Sequence, residues 1–209
     1  EQLGQFMSPK TPISGEFASI KIIGSGLIGT SIGLALANKG VKVEMADIDP
    51  MAAKLANDLV VSVPAMVPEI ILYAGPSSSL IPTLLGEFKV NAASKFIDIG
   101  SVKTKSLLDV SESAIPSGRF LATHPMAGRE VGGAQSARAD LFQSRSWIYM
   151  PKDLQGAPVD PELIAAGLWL IQTLGASPVA MSAEKHDRAV ALMSFVPVFS
   201  PGWRSPHGQ

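Results

Sequence analysis

Residues 20–31 read Ile20-Lys21-Ile22-Ile23-Gly24-Ser25-Gly26-Leu27-Ile28-Gly29-Thr30-Ser31, with three glycines at the spacing G-x-G-x-x-G. A β-favouring run leads into the glycines, and an apolar helical pattern (Leu27, Ile28, Ile32, Leu34, Ala35, Leu36) follows them. This is the strand, tight turn and helix order that a dinucleotide pyrophosphate requires. Gly24 allows the sharp turn, Gly26 lets backbone N–H groups approach a phosphate with no Cβ in the way, and Gly29 lets the helix lie close to the strand. The helix N-terminus then faces the anion. Gly24, Gly26, Leu27, Ile28 and Gly29 are therefore the candidate cofactor-binding residues of this turn.

Outward from the turn, Ala18 to Ile23 reads as the first strand, and the helix ends at Asn38-Lys39-Gly40, with a glycine suited to a left-handed cap. Val41 to Ala46 is the second strand. Asp47 closes it about 20 residues beyond the glycines, where such folds place an acid that accepts from the adenosine ribose hydroxyls. A carboxylate there repels a 2′-phosphate, and no Lys or Arg follows before Lys54, so the sequence favours NAD over NADP. The alternative for Asp47 is a turn-former beside Asp49-Pro50.

Asp58 to Val63 reads as a buried third strand stopped by Pro64, which would open a helix; Val63 would then sit beside the cofactor. Gly75 to Ser79 is a loop, Leu80 to Phe88 a short helix, and Lys95 to Ile99 the fourth strand. The strand runs into Gly100-Ser101 and a helix over Lys103 to Ala114. Gly100 and Ser101 thus lie at the carboxyl end of a strand, where open α/β sheets bind ligands, although Ser101 has the alternative role of helix N-cap. Arg119 to Thr123 is the fifth strand and delivers His124 into the Pro- and Gly-rich segment Pro125-Met126-Ala127-Gly128-Arg129-Glu130. A lone histidine is more often structural than catalytic; this one has a strand-end serine as its expected neighbour. Gly132-Gly133 is expected to open a helix carrying Arg138, Asp140 and Phe142 as packing and surface residues. Trp147 begins a sixth strand, Pro161 to Leu174 is an apolar helix with Trp169 in the core, Ser177 to Met181 is a last strand, and Ser182 caps a final helix. The alternation specifies an α/β fold, a Rossmann-type doubly wound and mostly parallel sheet.

Composition narrows the classes. A net charge of −1 and the absence of any Lys/Arg-rich run argue against nucleic acid or an anionic membrane as partner. With no cysteine there is no disulfide framework, thiolate metal site or Cys nucleophile, which fits a cytoplasmic enzyme. The longest apolar run, Leu163 to Ile171, is too short to span a bilayer. Residues 1–17 lack periodicity and are expected to be a disordered leader.

Taken together, Gly24 to Gly29, Asp98-Ile99-Gly100-Ser101-Val102-Lys103, His124-Pro125-Met126-Ala127-Gly128-Arg129-Glu130 and His186-Asp187-Arg188-Ala189 resemble the prephenate/arogenate dehydrogenases of tyrosine biosynthesis. The resemblance covers roughly residues 18 to 194 and implies NAD as cofactor, no metal, and oxidation of a ring C4 hydroxyl followed by loss of the ring carboxylate as carbon dioxide. It implies His124 as the group that accepts the hydroxyl proton, Ser101 as the residue that orients both His124 and that hydroxyl, and Gly100 and Gly128 as points of close backbone approach. Arg129 and Lys103 are candidates for carboxylate or phosphate partners, with solvated surface charge as the alternative. In that family the last helix continues through an S-H-x-P segment into a helical domain that forms a homodimer and supplies an arginine to the substrate. Here the segment reads Ser194-Phe195-Val196-Pro197, and residues 200–209 hold two prolines and two glycines with no helical period. The expectation is a truncated or frame-altered member: residues 18–181 an intact NAD-binding domain, residues 182–209 a remnant of the dimerisation domain, and turnover reduced or absent. Two other readings stay open, a hydroxyacid dehydrogenase with the same glycine motif and a non-catalytic NAD-binding module.

Overall fold

The computed structural model describes residues 15–127 and 133–194. Seven strands form one sheet in the order β2-β1-β3-β4-β5-β6-β7. They are β1 (Ser19–Ile23), β2 (Lys42–Ala46), β3 (Ile70–Tyr73), β4 (Lys95–Asp98), β5 (Phe120–Pro125), β6 (Ser146–Tyr149) and β7 (Ser177–Ala180). The helices are α1 (Leu27–Ala37), α2 (Pro50–Val60), α3 (Leu80–Val90), α4 (Thr104–Ser111), α5 (Pro161–Thr173) and α6 (Ala183–Ser194). Strands β1 to β5 are parallel, β6 is antiparallel to β5, and β7 is parallel to β6.

The doubly wound arrangement follows from side-chain alternation along the central strands. Ile70, Leu72, Ile97 and Leu121 point to one face and pack with Ile32 and Leu36 of α1, Val60 of α2 and Leu163 and Leu170 of α5. Ile71, Tyr73, Phe96, Phe120 and Ala122 point to the other and pack with Leu80 and Leu84 of α3, Leu107 and Val110 of α4 and Ala183 of α6. Successive strand residues face opposite sides, so a strand covered on both faces must be apolar throughout; all four residues of β3 are buried. Packing starts before β1: Phe17, inside the segment expected to be a leader, is buried and meets Trp169 edge-on at 4.8 Å. Among the described residues no helix is long and apolar enough to cross a membrane.

The third strand departs from expectation. Residues 58–60 finish α2, residues 61–69 are irregular, no helix starts at Pro64, and β3 lies at Ile70–Tyr73. The helix starts earlier, at Asp49-Pro50: Asp49 accepts from the Met51 amide at 2.9 Å and Pro50 takes the first helical position. Val63, the expected cofactor contact, is 76% exposed in the irregular segment; the loop that follows β3 is residues 74–79. The structure also shows why no strand is needed beyond β2. Asn57 of α2 donates to the Met45 carbonyl at 2.7 Å and accepts from its amide at 3.1 Å, while the Val43 amide donates to Ser62 Oγ at 2.8 Å. Side chains thus satisfy the outer edge of β2 and blunt it against further pairing.

Gly132 lies outside the described residues, and no helix opens after Gly133; a short 3-10 turn at Ala134–Ser136 is followed by irregular turns. Arg138 and Asp140 pair with each other at 2.6 and 2.8 Å, and Phe142 is buried against Trp147.

Because Asn57 satisfies two backbone groups that β2 would otherwise leave bare, Asn57→Ala should lower unfolding free energy by about 1–3 kcal/mol, read as a drop in the urea midpoint at unchanged slope. An unmoved midpoint would show that water satisfies this edge equally well.

Candidate active site

The chain leaves β1 toward β2 on one side and returns to β3 on the other, so a crevice opens between the carboxyl ends of β1 and β3. Residues 24–29 form one wall. Gly24 has φ +114° and its amide donates to the Ala46 carbonyl at 2.8 Å; a Cβ there would lie 2.6 Å from the Ala74 backbone. A Cβ on Gly29 would lie 2.0 Å from the Gly24 carbonyl oxygen, so both positions exclude any side chain. Gly26 caps α1 without a side-chain hydrogen bond, and a Cβ on it would meet nothing within 4 Å. The first-turn amides of α1 therefore point into open space from a helix N-terminus, which suits an anion. Leu27 is buried and Ile28 half-buried, so what Leu27 offers a ligand is its backbone amide.

Asp47 stands beside this turn with both oxygens engaged: Oδ2 accepts from the Ser25 amide at 2.7 Å and Oδ1 from the Asp49 amide at 3.0 Å. The carboxylate is thus aimed by the backbone, and each oxygen retains a further lone pair. Ile48 and Met51 next to it are among the most exposed apolar side chains described. The opposite wall is residues 74–79, which sequence reasoning placed as a loop without a role. The Tyr73 hydroxyl donates to the Pro76 carbonyl at 2.7 Å and shares a 2.7 Å hydrogen bond with Ser79 Oγ, pinning this loop; burial raises the phenol's pKa. A cavity of about 160 Å³ lies here, lined by Gly75, Pro76, Ser77, Asp98, Gly100 and Ser101. Gly100 donates its amide to Asp98 Oδ1 at 2.9 Å.

Ser101 is exposed and does not cap α4. That place is taken by Asp187 of α6, whose Oδ1 accepts from the Lys103 amide at 3.0 Å and whose Oδ2 accepts from the Thr104 amide at 2.8 Å. Nor does Ser101 hydrogen-bond His124. The partner of His124 is His186: His124 Nδ1 lies 2.9 Å from His186 Nε2, and His186 Nδ1 lies 2.8 Å from Asp187 Oδ1. The sequence had shown His186-Asp187 only as a motif on a helix; nothing local to residues 186–187 says that α6 folds back onto the end of β5.

Lys103 is neither a substrate partner nor a surface charge. It is fully buried, paired with Asp98, and donates to the Thr123 carbonyl at 2.8 Å. Burial pushes its pKa down, against the pull of Asp98 and Asp187. His124 is pushed down to about 4, by burial first, then by His186 and the Lys103 ammonium, with Asp98 and Asp187 opposing. For Asp187 burial works against the charge, but hydrogen bonds from the Thr104 amide, His186 and the Lys103 amide outweigh it and hold the carboxyl below its usual value. At neutral pH the site therefore presents an uncharged imidazole at the end of β5, one strand from Gly100 and Ser101. Gly128 and Arg129 lie outside the described residues, as do residues 195–209.

The profile of a family described as prephenate dehydrogenase, nucleotide-binding domain, matches residues 32–161. A probable prephenate dehydrogenase of Streptomyces niveus is 32% identical over 179 residues, covering 84% of this chain and 48% of that protein. The chain spans about half the length of the curated relatives it matches. Among solved structures, Synechocystis arogenate dehydrogenase superposes with a TM-score of 0.74 at 25% identity, over 86% of this chain and 65% of that one. Prephenate dehydrogenase from Aquifex aeolicus in complex with hydroxyphenyl propionate and NAD+ superposes with a TM-score of 0.69 at 21% identity, over 89% and 72%, a likeness of fold.

Two outcomes follow from the electrostatics. Lys103→Met leaves Asp98 buried without its cation and should cost about 3–5 kcal/mol of stability, whereas Asp98→Leu combined with Lys103→Met should recover much of that loss in the same denaturant titration. An unfolded imidazole protonates near pH 6.5, while His124 in the fold resists the proton down to about pH 4. Between those values the unfolded state binds more protons, so stability is full above pH 6.5 and falls as pH falls to 4. The urea midpoint should drop across that window, and His124→Asn should flatten the drop.

Proposed function

This chain belongs to the prephenate dehydrogenase family, and we propose that it is an NAD-dependent oxidoreductase that oxidises prephenate or arogenate at the ring hydroxyl, with loss of carbon dioxide. The observation that carries this reading is the position of His124, half-buried at the carboxyl end of β5, one strand from the Gly100-Ser101 turn and on the same sheet edge as an intact glycine turn.

The residues present fit the cofactor. The uncapped N-terminus of α1, with open space over Gly26, matches a diphosphate. Asp47 would accept from the ribose hydroxyls of the adenosine half and repel a 2′-phosphate, and the exposed Ile48 and Met51 would flank the base. The pinned loop at residues 75–77 and Gly100 would line the space for the nicotinamide half. When bound, NAD supplies the hydride acceptor.

The chain's own part is to hold the substrate hydroxyl and take its proton. As C4 gives up hydride its oxygen becomes carbonyl-like and its proton strongly acidic, so an imidazole weakened by burial is still base enough. Ser101, exposed in the cavity and not used as a cap, is free to hydrogen-bond the same oxygen. The ketone so formed loses the ring carboxylate: the carbon–carboxylate bond breaks, its electron pair enters the ring, and aromatisation drives the step without further oxidant.

In a steady-state assay with NAD and either prephenate or arogenate, His124→Asn should lower kcat by roughly 10²–10⁴-fold, the usual contribution of a positioned acid or base, with NAD affinity by titration unchanged. Binding of NAD with no turnover of either substrate would replace this reading with that of a nucleotide-binding module. Asp47→Ser should narrow the ratio of NAD to NADP affinity; an unchanged ratio would remove Asp47 from the cofactor site.

A further inference from the structure

We propose that His186 and Asp187 are positioning residues that fix the tautomer of His124, leaving its Nε2 bare; the role of that atom rests on the reading of His124 as proton acceptor. The order of protons can be deduced from the far end of the chain of contacts. Asp187 receives two backbone amides, Lys103 on Oδ1 and Thr104 on Oδ2. Both amides can only donate, so both carboxylate oxygens act as acceptors. His186 Nδ1, 2.8 Å from Oδ1, must therefore carry a hydrogen. With one proton on each ring, His186 Nε2 is an acceptor, and His124 Nδ1, 2.9 Å away, must supply the next hydrogen. The proton of His124 is then on Nδ1. Nε2, on the far side of the ring from His186, keeps its lone pair.

The surroundings favour this arrangement. The rings of His124 and His186 meet edge-on, 5.1 Å apart at 77°, so neither can rotate without losing its partner. His186 is fully buried, and Asp187 is held by the N-terminus of α4, a helix end that favours a negative charge. Among the described residues, the charged and titratable groups around His124 are His186, Lys103, Asp98 and Asp187. Of these Lys103 and Asp98 neutralise each other in a buried pair, which leaves the imidazole–carboxylate contact to set the tautomer. An imidazole oriented by a carboxylate is a recurring device for keeping one nitrogen free as a base; here a second imidazole stands between them.

The 209 residues include three histidines, His124, His186 and His207, so ¹⁵N-imidazole NMR reads the tautomers directly. At pH 7, His124 and His186 should both show a protonated Nδ1 and a bare Nε2, with coupling across the bond from His124 Nδ1 to His186 Nε2. A proton on Nε2 of His124, or a doubly protonated His186, would overturn the inference whatever the activity. In Asp187→Asn an amide cannot accept from all three donors, so the fixed order should be lost, with a proton appearing on His124 Nε2. Turnover should then fall on the order of 10²-fold or more at unchanged NAD affinity. Correct tautomers in a chain that binds NAD but turns over neither substrate would defeat the enzymatic reading alone. Wild-type tautomers and turnover retained in Asp187→Asn would defeat the relay alone.

Discussion

The buried pair of Lys103 and Asp98 ties the sheet to the chemistry at its edge. Asp98 ends β4, Lys103 opens α4, and the ammonium also donates to the carbonyl of Thr123 on β5. Thr123 in turn donates to the Asp98 carbonyl at 3.0 Å and accepts from Trp147 of β6 at 3.0 Å. Two charges taken out of water are costly, and such a pair adds little net stability over apolar packing of the same volume. What it contributes is position. One cation fixes the ends of β4 and β5 relative to α4, and the next residue in the chain is His124.

From that anchor the site grows in two directions. Toward α6, the amides at the start of α4 hold Asp187, which holds His186, which holds His124. Toward β3, the Asp98 side chain holds the Gly100 amide and so shapes the turn that exposes Ser101. The glycine turn is built separately, by backbone crowding: Gly24 and Gly29 leave no room for side chains, and Tyr73 pins the loop across from them. The glycine turn and the placement of His124 therefore rest on different elements, which meet at the carboxyl edge of the sheet.

Residue periodicity and punctuation carried most of the fold. The glycine turn, the Asn38-Lys39-Gly40 stop with φ +85° at Gly40, the second, fourth and fifth strands, to within one or two residues at their ends, and the helix from Pro161 are local signals, and each stands where it was expected. The third strand was lost because a short apolar run, residues 58–63, matches a strand and the buried side of a helix end equally well. The true strand, Ile70–Tyr73, competed with it under the same pattern. The alternative role of Ser101, as the cap of α4, fails for a different reason: a carboxylate 83 positions from Thr104 receives the first amides of that helix instead.

The sequence by itself determined the glycine turn, the acid at Asp47, the doubly wound order of elements and the identity of His124 and Ser101 as strand-end residues, because each of these depends on neighbours within a few positions. Only the tertiary structure decided which groups touch. It took Lys103 out of solvent, left Ser101 and His124 without a hydrogen bond between them, put Asn57 on the edge of β2, and brought His186 and Asp187 to His124. Contacts across 62 to 84 residues are set by how helices pack on a sheet, and packing is a property of shape and buried surface that no local pattern of residues encodes.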